Sequence, residues 1–84
     1  MNNEENKIGE IINALKAIEG DKAIPKNVRE GIKNSMQALK EERINTAVKI
    51  NRSLQNLEEL SDNPNISVYT RTQLWNIVSL LESV

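Results

Sequence analysis

Between residues 3 and 18 the apolar side chains Ile8, Ile11, Ile12, Leu15 and Ile18 recur three or four positions apart, separated by charged and amide residues. That spacing keeps one face apolar on a 3.6-residue period and predicts a first helix. Glu4 and Glu5 suit its positive end, with Asn2 or Asn3 as cap. Gly20 stands where a left-handed C-terminal residue is expected. Pro25 fits a first helical turn, where its missing N–H needs no partner. Val28, Ile32, Met36 and Leu39 then form a second stripe. Ala47, Ile50, Leu54, Leu57 and Leu60 form a third, starting near Arg43 or Asn45, and the S-D-N-P-N cluster at 61–65 ends it. The last helix runs from about Ser67 to the C-terminus. The joint K-E-E-R-I-N at 40–45 has neither Gly nor Pro, so a tight turn and a partly continuous helix both fit it.

The stretch I-P-K-N-V-R at 24–29 returns as I-S-V-Y-T-R at 66–71, a shift of 42 residues. The same shift pairs identical residues at eight positions: Asn3/Asn45, Lys7/Lys49, Ile8/Ile50, Leu15/Leu57, Ile24/Ile66, Arg29/Arg71, Asn34/Asn76 and Leu39/Leu81. Composition alone would give roughly three or four. Ile12/Leu54, Ile18/Leu60, Ile32/Leu74 and Met36/Val78 are conservative, so the apolar stripes stay in phase. The expectation is an all-α fold, a four-helix up-and-down-like bundle made of two duplicated helical hairpins, 1–42 and 43–84, within one domain, 1–84.

Composition narrows the chemistry. The 84 residues include no Cys and no His, which leaves neither disulfides nor the usual zinc ligands. No apolar run approaches the ~18 to 20 residues that span a bilayer. The start, M-N-N-E-E-N-K, lacks the basic and apolar stretches of a secretory signal, so a cytoplasmic location is expected. Net charge is −1, with 7 basic and 8 acidic residues in the first half and 4 of each in the second. A duplex-binding domain usually carries a basic excess, so DNA is not expected as a partner. The doublets Glu4-Glu5, Glu41-Glu42 and Glu58-Glu59 diverge by about 100° on a helix and converge on no metal. Without His or Cys no nucleophile has an evident base. No enzymatic activity, catalytic residue, metal or cofactor is expected.

The stretches N-P-N-I-S-V-Y-T-R-T-Q-L-W-N-I-V-S-L-L-E and I-P-K-N-V-R-E-G-I resemble uncharacterised protein family 0147, a group of small archaeal proteins. The resemblance covers essentially the whole chain, and Arg71 to Trp75 is its most specific part. The family pattern often has a second Pro where this chain has Ser67, which bears on how the last helix starts. The resemblance implies a compact helical bundle in an archaeal cytoplasm, and it implies no activity.

Two surfaces could carry function. The last helix has Arg71 and Glu82 as its only charges. Its apolar stripe is wider than the ~100° a bundle helix buries. Val68 and Trp75 lie on one flank, and Tyr69, Leu80 and Val84 on the other. Either the helix is wrapped more deeply in an irregular bundle, with Trp75 packed inside as such residues more often are, or Tyr69, Trp75, Leu80 and Val84 are contacts for a protein partner or a second copy, the reading preferred for the chain's function. The alternative is a site for RNA phosphate or a phosphorylated ligand at the loop end. There Lys22, Lys26, Arg29 and Arg71 would join two helix N-termini. The preferred reading of the two arginines themselves is structural: each ties its loop back to Asp21, Asp62 or nearby carbonyls and does no chemistry. Gly31, costly inside a helix, is expected to admit a neighbouring helix closely.

Overall fold

The computed structural model describes the backbone from Asn3 to Val84 and the side chains from Asn6 onward. It contains α1 (Asn3–Glu19), α2 (Lys26–Lys40), α3 (Thr46–Ser61) and α4 (Val68–Glu82), with no strand among the described residues. The expected cap at Asn2 or Asn3 and the placement of Glu4 and Glu5 lie outside the described side chains.

The helices pack in a ring: α1 lies against α2 and α4, and α3 lies against α2 and α4. The extents are 37 × 20 × 19 Å, which fits helices of about 22–26 Å laid along the long axis with loops at both ends. The predicted stripes meet in a single core except at Ala47, which is exposed; of the α3 stripe Leu57 is fully buried, and Ile50, Leu54 and Leu60 are half-buried against it. Leu15, Val28, Ile32, Leu57 and Leu74 are fully buried at its centre, one or two from each helix. Ile24 and Ile66, from the first and third loops, close it at one end.

All three connections use one turn. The backbone N–H groups of Asp21, Glu41 and Asn63 donate to carbonyls three residues back, on Ile18, Ala38 and Leu60. Their side-chain oxygens then accept from the N–H two residues on: Ala23 at 2.9 Å, Arg43 at 3.2 Å and Asn65 at 2.8 Å. An Ile follows in each (Ile24, Ile44, Ile66), and then the cap of the next helix. This settles the joint at 40–45 as a tight turn and starts α3 after Asn45, whose side chain accepts from the Ala47 N–H. It also corrects the expectation at Gly20. No described glycine has a positive φ. The three-residue tightening and the turn made by the Asp21 side chain end α1, so no left-handed residue is required. Pro25 occupies the cap position itself, and Ser67 caps α4 by accepting from the Thr70 N–H.

The 42-residue correspondence extends to contacts. Lys7 Nζ donates to the Ser83 carbonyl, and its counterpart Lys49 donates to the carbonyl of Glu41, the counterpart of Ser83, both at 3.4 Å. The α1–α4 junction thus corresponds to the α3–α2 junction. The two are filled differently. Across α2–α3, Asn56 Nδ2 donates to the Gly31 carbonyl at 2.8 Å and to Ser35 Oγ, while Ser53 Oγ donates to the Ser35 carbonyl. Ser35 and Ser53 are 1 % exposed, so this polar seam is satisfied inside the packing.

Gly31 makes that close approach possible: a Cβ there would lie 2.6 Å from Leu60 Cδ2 and 3.2 Å from its Cγ. Gly31→Ala is therefore expected to destabilise the wild-type chain, because the clash outweighs the gain of about 1 kcal/mol in helix propensity. In a Leu60→Ala background the clash is gone and the same substitution should stabilise by about 1 kcal/mol. Urea unfolding of the four proteins checks this reversal; equal effects in both backgrounds would remove Leu60 as the reason for the glycine.

Candidate functional site

The first and third loops lie side by side at one end of the ring and share a groove of about 200 Å³. Asp21, Ala23, Pro25, Asn65, Ser67 and Tyr69 are among its lining residues, and the lining includes no Lys or Arg. The four basic candidates do not meet in one pocket. Arg71 is held by its own loop: Nε donates to the Ser61 carbonyl at 2.8 Å and a terminal nitrogen to the Asn63 carbonyl at 3.0 Å. Arg29 sits in the corresponding place with a different outcome. Its Nε is buried without a hydrogen-bond partner. It lines a cleft of about 170 Å³ with Glu19, Lys26, Glu30 and Lys33, a set of mixed charge. The loops share their backbone bonds, but the residue at the end of α3 is the small, buried Ser61 where α1 ends in Glu19. Lys22 is exposed on the first loop.

Helix α4 presents the other surface. Leu74, Ile77, Val78 and Leu81 are buried as expected, and Thr70 joins them. Val68, Tyr69, Trp75 and Leu80 are 75, 70, 55 and 46 % exposed. Val48 on α3 is the one other exposed large apolar residue among those described. Val84 is half-buried against the core edge. Between the two apolar flanks run Thr72, Asn76 and Ser79, all exposed and uncharged. Tyr69 accepts at its hydroxyl from Gln73 Nε2, one turn on. With the Arg71 guanidinium engaged by carbonyls, Glu82 is the remaining charge of this helix.

A groove of about 280 Å³ runs beside this face between α1 and α4, lined by Ala14, Ala17, Ile18, Gln73, Ile77 and Leu80 with Asn76 at its rim. Its origin lies in the correspondence between junctions. Gln73 takes the place of Gly31 and Ala14 the place of Asn56. A long residue stands where glycine allowed contact, and a methyl stands where an amide bridged. The junction is left open along its outer edge, and its walls are apolar. Sequence spacing alone gave no sign of this groove, because it depends on which helices touch. Among the described residues no helix is long and apolar enough to cross a membrane, and no group of three metal-ligating side chains occurs.

A family model described as "Uncharacterised protein family (UPF0147)" matches residues 1–84. Proteins named "UPF0147 protein" include one from Sulfurisphaera tokodaii, 35 % identical over 95 % of this chain and 90 % of its own length. One from Aeropyrum pernix is 34 % identical over 95 % and 88 %. A relative from Pyrococcus furiosus is 33 % identical over 100 % and 91 %. Among solved structures, one titled "Crystal structure of unknown function protein MMP1188" superposes with a TM-score of 0.91 at 35 % identity, covering 95 % of this chain and 91 % of that one. The similar structure has the same compact fold.

Proposed function

The chain belongs to the uncharacterised protein family UPF0147, and from that premise we propose that it is a non-enzymatic protein-interaction module of the archaeal cytoplasm, with α4 as its contact face. The observation that carries this reading is the gathering of Val68, Tyr69, Trp75 and Leu80 on one helix, exposed, in a surface otherwise made mostly of charged and uncharged polar residues. Exposed Trp and Tyr supply large contact area at little entropic cost, and such residues concentrate binding energy at interfaces. The open α1–α4 groove widens the apolar area beside them.

The test uses tagged wild-type protein and a Trp75→Ser/Leu80→Ser double variant as baits in nuclease-treated lysate of the source organism. A stoichiometric protein retained by the wild type and lost with the variant is the expected outcome. Equal retention by both would sink the reading, as would no retention by either when the bait is itself a monomer. Circular dichroism of the variant should match the wild type, since both side chains are about half exposed.

A second reading, binding of RNA phosphate or a phosphorylated ligand at the loop end, is favoured by the unpartnered Arg29 Nε beside Lys26 and Lys33. Arg71 is withdrawn from it by its loop carbonyls. RNA retained by the wild type in untreated lysate and lost with Arg29→Ala is the result that would move the assignment there. The 42-residue identities and the paired Lys7 and Lys49 contacts support descent from a duplicated hairpin. The same turn at Glu41–Asn45, outside that register, shows that the turn also arises without it.

A further inference from the structure

Resting on the reading of α4 as a contact face, we infer that its occupant is a second copy of this chain, seated α4 against α4, antiparallel, about a two-fold axis between residues 75 and 76. The spacing of the exposed residues is that of helix pairing. Val68, Thr72, Trp75 and Ser79 fall four, three and four apart, and Tyr69, Asn76 and Leu80 repeat the register on the other flank. A two-fold contact must be self-complementary, and this face is. Reversing the helix about its midpoint sets Thr72 level with Ser79 of the second copy, both small enough for close approach. It brings the two Trp75 rings together on one flank. On the other flank it lays Tyr69 beside Leu80 of the second copy, at the end of the α1–α4 groove.

Charge selects the same arrangement. The first turn of α4 has no acidic residue to meet its positive end, and Glu82 lies at the negative end of its own helix. Antiparallel pairing moves each Glu82 to the other copy's N-terminus, where a carboxylate is favourable. Parallel pairing would leave the two Glu82 side by side. The exposed faces of α1, α2 and α3 carry charges such as Lys16, Lys33 and Arg52, which would be buried unpaired against α4. Among the described helix faces only α4 suits α4. Val68, Tyr69, Trp75, Leu80 and the polar residues between them present on the order of 500 Å² per protomer, about 1,000 Å² for the pair, the lower edge of a specific interface. The dimer is therefore concentration-dependent.

Sedimentation equilibrium over a concentration series of the full chain tests this. The mass should rise from one chain toward two, with little change between low and high salt because few charges are involved. Trp75→Glu places two carboxylates across the axis and should weaken association at least about 100-fold. The chain has no cysteine, so Asn76→Cys gives a clean probe. Mild oxidation should yield a covalent dimer from Asn76→Cys and none from Asn34→Cys on the exposed face of α2. A mass of one chain up to about 1 mM would overturn the second copy as occupant while leaving the α4 reading to the lysate test. A dimer that is unaffected by Trp75→Glu and is not linked through Asn76→Cys would use another face, and would likewise overturn the second copy as occupant of α4.

Discussion

Leu57→Ala should lower the unfolding free energy by about 3 kcal/mol, within the range of about 2–5 kcal/mol for a buried leucine truncated in a packed core. Leu57 is fully buried on α3, and its counterpart Leu15 is fully buried on α1. The two occupy corresponding places in a ring where each helix relies on two neighbours, so little can move in to fill the void. A domain of this length holds on the order of 4–12 kcal/mol in total. The loss is thus a large fraction of the whole and should drop Tm by more than about 10 °C. Chemical unfolding followed by circular dichroism measures it; Trp75 is too exposed to report on the core. Leu54→Ala, at a half-buried position on the same helix, should lose clearly less. A cost at Leu57 no greater than at Leu54 would contradict the core described above.

The second large effect separates two arginines that the sequence makes equivalent. Arg71→Ala removes two hydrogen bonds from a charged donor to the carbonyls of Ser61 and Asn63. It should cost about 2 kcal/mol, the range for such bonds at a partly buried site. Arg29→Ala removes a half-buried side chain whose Nε has no partner, so only the packing of its stem is lost and its cost should stay below about 1 kcal/mol. Arg71→Lys keeps the charge without the planar fork that reaches both carbonyls, so it should recover less than half of the loss. Equal losses at the two sites would mean that Arg29 finds a loop partner in solution.

The helices were legible because apolar periodicity and burial are the same physical fact. Ile8, Ile11, Ile12, Leu15 and Ile18 predict α1, and all but the half-buried Ile12 are buried. The width of the α4 stripe was legible for the same reason, but its outcome was not: a tryptophan is more often packed inside, whereas Trp75 is left exposed on one flank and Leu80 on the other. The turn at Glu41–Asn45 was not. Its geometry comes from a Glu carboxylate accepting a backbone N–H, a role more often associated with Asp or Asn, and its only cue is an Ile three residues on, matching Ile24 and Ile66. Gly20 misled because glycine permits a left-handed end without requiring it. The difference between Arg29 and Arg71 was hidden too, since it rests on what stands opposite each guanidinium and not on the arginine. The buried seam of Ser35, Ser53 and Asn56 reads as surface in the sequence; only the proximity of α2 and α3 allowed by Gly31 turns it inward.

Of the four junctions in the ring, α1 against α4 alone has no loop to bring its helices together. Each of the other three closes over a turn of a few residues, at small entropic cost. The Lys7–Ser83 contact spans 76 residues of chain, and the entropy of closing a loop rises with its length. The hairpins can form on local contacts, whereas this seam must wait until both are in place. The expected order therefore has this seam, open along Gln73 and Ala14, close last on folding and part first on unfolding. Ile77→Val should then speed unfolding and leave the refolding rate nearly unchanged in stopped-flow measurements, whereas slowed refolding would place this seam in the folding nucleus.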